Sequence, residues 1–161
     1  MFFVKIFILI CFTGILLQDY KSRYVYWFLY PLAGIAAFAL QFEKNGIEIT
    51  LLNSAINLGF ITIFLLIAFL YAHFIMKVNF LKEAFGMGDL LFFIFISFAF
   101  APFSFVILLV FSLIFSLAIH FLLKEKQKQH TTIPLAGYMS LFFGTIYLLS
   151  FFTNLSVIYA F

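Results

Sequence analysis

The 161 residues are 66% hydrophobic and 9% charged, where a soluble domain carries about 25% charged residues. The chain therefore reads as an integral membrane protein, a single unit over residues 1–161 with room for about six spans of about 20 residues. The net charge of +3 comes from basic residues in short stretches between apolar runs, with no stripe or patch, which argues against nucleic acid as a partner.

Cys11 is the only cysteine, so neither a disulfide framework nor a cysteine-built zinc site is expected. His73, His120 and His130 stand at no ligand spacing. No metal and no cofactor are expected.

Apolar runs mark the spans in order. Phe2 to Leu17 follows the pattern of a leader, with Lys5 before the apolar run, but no small-residue cleavage pattern follows; it is read as the first span. Val25 to Leu40 is the second, with Tyr26, Trp27 and Tyr30 as an interfacial aromatic belt. Leu51 to Ile75 is the third, where Asn53 and Asn57 suit caps or hydrogen bonds between helices. Leu90 to Ala101 and Phe103 to Leu123 are separated by Pro102. As one helix they would run about 51 Å, well beyond a hydrocarbon core of about 30 Å, so a hairpin or a broken, part-depth helix is expected. Ile133 to Phe152 is the sixth. The 28 Phe read as lipid-facing and packing surface, and Gly34, Gly59, Gly137 and Gly144 as places of close helix contact, with Gly137, which follows Pro134, also a candidate to shape a site.

Charge asymmetry orients these spans. Lys21, Arg23, Lys77, Lys82, Lys124, Lys126 and Lys128 fall on one side, and Lys5 and Lys44 on the other. Seven against two places the first side in the cytoplasm and both termini outside. Joining the fourth and fifth runs into one span would erase the bias, which favours an all-α, six-span protein.

The chain has two aspartates. Asp19 closes the first span and Asp89 opens the fourth, so both are expected at the cytoplasmic membrane edge. A carboxylate at the mouth of a membrane helix is costly and points to function. Glu43, Glu48, Glu83 and Glu125 lie in loops, the last two beside lysines, and read as solvated charges. Asp89 follows Gly86, Met87 and Gly88; the glycines can take positive φ and allow close backbone approach, so a tight loop against which a peptide could lie is expected. Such a tetrad by itself is also an ordinary turn leading into a helix.

Two carboxylates that meet in a partly dry site share a proton and titrate as a unit. One then takes a proton from water while the other polarises a carbonyl, which needs neither metal nor nucleophilic side chain.

The stretch Phe85 to Asp89 resembles the Gly-x-Gly-Asp signature of the membrane aspartyl proteases. The whole chain is similar to the peptidase module of type IV prepilin peptidases and the related preflagellin peptidases. Gln18 to Arg23 resembles that family's first aspartate segment, and Ile133 to Tyr138 its last motif, an Ile-Pro start to the final helix. The resemblance implies Asp19 and Asp89 as the catalytic pair and Gly86, Met87 and Gly88 as an active-site loop. It implies hydrolysis of the short basic leader of a prepilin-like precursor, a type IV pilin or secretion pseudopilin, at the cytoplasmic face of a bacterial inner membrane.

Lys21 and Arg23 are candidate contacts for lipid or substrate. Val25, Tyr26 and Trp27 stand where the family has Ile-Pro, and Leu91 where it often has Lys. The family's N-terminal cysteine-containing part is missing here, so no methyltransferase activity is expected. The competing class is a non-enzymatic membrane subunit or a proton-coupled transporter that uses the paired aspartates.

Overall fold

The computed structural model describes residues 1–77, 85–123 and 134–152. The expected positions of Lys82, Glu83, Lys124, Glu125, Lys126, Lys128, His130 and Ile133 lie outside these. Among the described residues five helices follow one another: α1 (Phe2–Ser22), α2 (Leu29–Tyr71, continued by a wider turn over Ala72–Met76), α3 (Met87–Ile96), α4 (Pro102–Leu123) and α5 (Leu135–Leu149). Among the described residues every regular element is helical. Three stretches among these residues, α1, α2 with its wider turn, and α4, are long and apolar enough to cross a membrane; α3 and α5 are shorter apolar helices.

α1 runs past the expected end at Leu17: Gln18 to Ser22 contain no breaker, and a helix already formed extends through polar residues at little cost. It stops at Arg23, whose left-handed φ of 59° lets its amide donate to the Asp19 carbonyl at 3.2 Å. The side chain of Gln18 accepts from the Tyr26 amide at 2.9 Å and ties down the returning chain. Ile8, Cys11, Phe12, Ile15 and Asp19 recur at helical spacing on the buried face. Asp19 is thereby part of the packed surface of α1.

The second and third expected spans meet without the outer loop expected between Leu40 and Leu51, where Glu43 and Glu48 are helical. Gly46 alone breaks α2, at φ 77° and ψ 170°, a region open essentially to glycine. The first limb, 29–45, meets α3 in ascending order: Tyr30 on Phe92 with ring centroids 6.4 Å apart, Gly34 against Phe95, and Phe38 on Phe98 at 6.3 Å. The second limb, 47–71, meets it in descending order, with Phe64 on Phe93 at 5.8 Å and Asn57 beside Ser97 and Phe100. The limbs therefore run in opposite directions along α3, and Gly46 is the reversal.

α3 has ten residues, about 15 Å of helix and half the depth of a bilayer core. The chain turns through 97–101, and Pro102 opens α4, where its missing N–H costs nothing. The chain thus breaks before Pro102, and α3 is part-depth. Asn57 ties down the turn between α3 and α4: its Nδ2 donates to Ser97 O at 2.9 Å and Phe100 O at 2.8 Å.

α5 packs against α1 in the opposite sense. Gly137 lies at Asp19, while at the far end Lys5 Nζ donates to the Ser150 carbonyl at 2.9 Å. Between them Phe12, Phe92, Phe100, Phe143 and Tyr147 form a buried aromatic cluster. Part of the phenylalanine excess is thus core. Gly34 is a close contact, since a Cβ there would lie 2.9 Å from Phe95, whereas Gly59 has nothing within 4 Å.

Candidate active site

A helix begins with amides that no residue of its own can satisfy. In α5 the residue before the first turn is Pro134, which has no side-chain acceptor to offer them. Their acceptors come from two other helices. Ala136 N–H donates to Asp89 Oδ1 at 2.8 Å, and Gly137 N–H donates to Asp19 Oδ2 at 2.6 Å. The chain's two aspartates are gathered on successive peptide units, at the end of α5 whose dipole favours anions.

Each carboxylate is also set by its own helix. Asp19, 8% exposed, sits in the last full turn of α1 above Ile15. Gly137 gives it room: a Cβ there would stand 3.0 Å from Asp19 Oδ2 and 3.1 Å from Asp19 Cβ. Asp89 is the third residue of α3 and accepts from the Gly86 amide as well, the reach of a third helical residue back to the cap. A Cβ at Gly86 would stand 3.1 Å from Asp89 Oδ2.

The expected loop takes a different form. Gly86 is the cap residue, with φ −73° and ψ 145°, and Met87, Gly88 and Asp89 are the first turn of α3. Among the described glycines only Gly46 has positive φ. Gly86 and Gly88 are required by close approach instead. At Gly88 a Cβ would fall 2.7 Å from the hydroxyl of Tyr30.

That contact corrects the reading of Tyr30 as a belt residue. Tyr26 and Trp27 are exposed, but Tyr30 is 1% exposed, and its hydroxyl has no hydrogen-bond partner among the described residues. Its place in the sequence carried a signal: with Ala33, Gly34 and Ala37 it marks a small-residue face of α2, while Tyr26 and Trp27 precede the helix. Lys21 is exposed at the end of α1. Arg23 is half-buried, and its charge acts on both Asp19 and Asp89. Met87 is exposed. Among the described residues no three His, Cys, Asp or Glu side chains converge.

Two carboxylates on adjacent amides, with an arginine charge nearby and apolar packing beneath, can divide general-base and general-acid duties over one water. No known family model matches the chain, and no curated protein or solved structure is significantly similar to it.

Proposed function

We propose that this chain is a membrane aspartyl endopeptidase that removes the short basic leader of prepilin-like precursors at the cytoplasmic face of a bacterial inner membrane. The observation that carries the reading is the seating of Asp19 and Asp89, from separate helices, on the successive amides of Ala136 and Gly137. Six spans follow if α1, the two limbs of α2, α3, α4 and α5 are each counted, with both termini outside. The positions of Lys5 and Lys44 at the end away from the aspartates agree with that orientation: Lys5 reaches the far end of α5, and Lys44 adjoins the Gly46 reversal.

In the mechanism, the ionised aspartate takes a proton as the water oxygen bonds to the scissile carbonyl carbon. The protonated aspartate gives its proton to the carbonyl oxygen, producing a gem-diol. Collapse breaks the C–N bond: the first aspartate protonates the leaving amine, one diol hydroxyl returns its proton to the second, and the pair again holds one proton. The basic leader stays on the cytoplasmic side and the apolar helix behind it lies among the spans, which brings the bond between them to the depth of the aspartates. Lys21 and Arg23 border that site and are candidates to contact lipid headgroups or substrate.

The test is co-expression with a tagged prepilin-like precursor in bacterial membranes, with leader loss read by gel shift and mass spectrometry. Cleavage at one bond behind the basic leader is expected; several such precursors left intact would overturn the reading.

One observation favours a proton-coupled transporter. Gln41 is fully buried in α2, and neither atom of its amide has a partner among the described residues; polar groups at membrane depth mark transport paths. Proton uptake by proteoliposomes, lost in both Asp→Asn variants, would support that second reading.

A further inference from the structure

Among the described residues the Tyr30 hydroxyl is a buried polar group close to the aspartates that the mechanism above leaves unused. The phenol is buried, unpaired among the described residues, and packed against the backbone of Gly88, one residue before Asp89. Both carboxylates act on it electrostatically. A hydroxyl in such a place is costly when nothing accepts from it. Packing does not call for it, because the ring lies edge-on to Phe92 and a phenylalanine, used 28 times in this chain, would fill the same space.

We infer that Tyr30 is a third catalytic residue, whose Oη donates a hydrogen bond to the scissile carbonyl oxygen as it passes into the gem-diol. The inference rests on the peptidase reading. The resting site holds an unspent donor beside the backbone that a peptide would lie along. When substrate enters, its carbonyl supplies the missing acceptor, and the bond strengthens as charge develops on that oxygen. Tyr30 keeps its proton throughout, so the proton balance of the aspartates is unchanged. The bare Cα of Gly88 is what lets the phenol come so close.

The experiment compares the full-length native protein, Tyr30→Phe and the same position carrying p-aminophenylalanine, purified in detergent with a tagged precursor. Loss of a single donor of this kind lowers kcat by about 100-fold or more. Tyr30→Phe should show that loss in kcat with KM within about threefold of native, since the donor acts chiefly on the transition state. Its thermal midpoint should be equal or higher, because an unsatisfied hydroxyl has gone. The p-amino variant, which keeps a donor at the same place, should recover much of the rate.

A Tyr30→Phe protein within about twofold of native kcat would overturn the inference. One that fails to accumulate would overturn it too, by showing that the hydroxyl holds the fold. If the native protein cuts, both Asp→Asn variants do not, and Tyr30→Phe is fully active, this inference alone fails. A native protein that cuts nothing removes the peptidase reading and this inference together.

Discussion

Gly137 both feeds and shapes Asp19: its amide donates to the carboxylate at 2.6 Å, and its missing side chain leaves the space that the carboxylate occupies, with a Cβ there only 3.0 Å from Oδ2. Gly137→Ala should therefore displace Asp19 by a few tenths of an ångström while keeping the helix. Small misplacements of reacting groups are expensive. The expected result is a fall in precursor cleavage of about 10- to 100-fold at unchanged protein level, measured by initial rates in membranes normalised by immunoblot.

Gly88 and Tyr30 should be coupled through one oxygen atom. A Cβ at Gly88 would meet Tyr30 Oη at 2.7 Å but Tyr30 Cζ only at 3.8 Å. Gly88→Ala alone should cost about 1–3 kcal/mol by overpacking. Added to Tyr30→Phe, it should cost almost nothing. Thermal unfolding of the four proteins in detergent gives the coupling directly, whatever the protein's activity.

Gly46 and Gly59 should respond in opposite directions to alanine. Neither has an atom within 4 Å of where a Cβ would go, so only the backbone distinguishes them. At Gly46 the φ of 77° and ψ of 170° resist any side chain, and Gly46→Ala should destabilise by about 1–3 kcal/mol. Gly59 lies within the regular second limb, where alanine should gain about 0.5–1 kcal/mol. Denaturant titration of the two variants in the same micelle tests the pair.

Asn57 should be a structural residue. Its Nδ2 donates to the carbonyls of Ser97 and Phe100 in the turn between α3 and α4. Asn57→Leu should lower stability by about 1–2 kcal/mol. The thermal midpoint in detergent checks this, and no compensating gain in helix packing is expected.

What the sequence disclosed and what it hid follow from the same physics. Hydropathy marks which stretches prefer hydrocarbon, so the apolar runs and the break at Pro102 were legible. Two lone aspartates in a chain of few charges stood out for their cost. Hydropathy does not say where a helix stops: α1 continues through polar Gln18 to Ser22 because nothing there breaks it, and this turns Asp19 toward α5. Nor does it foresee a reversal at a single residue such as Gly46, which depends on backbone angles.

The role of α5 as the carrier of both carboxylates was hidden as well. It rests on backbone amides, which leave no mark in residue type beyond Pro134 and Gly137. For Tyr30 two signals compete: an aromatic residue near a membrane edge suits a belt, whereas the small residues Ala33, Gly34 and Ala37 on its face of α2 suit burial, which is what the structure has.

The proposed peptidase needs Asp19 and Asp89 to act as one cutting pair. Its most direct test is the cleavage assay with Asp19→Asn and Asp89→Asn, each shown to be as abundant and as thermally stable as the native protein. The native protein is expected to remove the leader, and neither variant to do so. Cleavage at the native rate by either variant would contradict it.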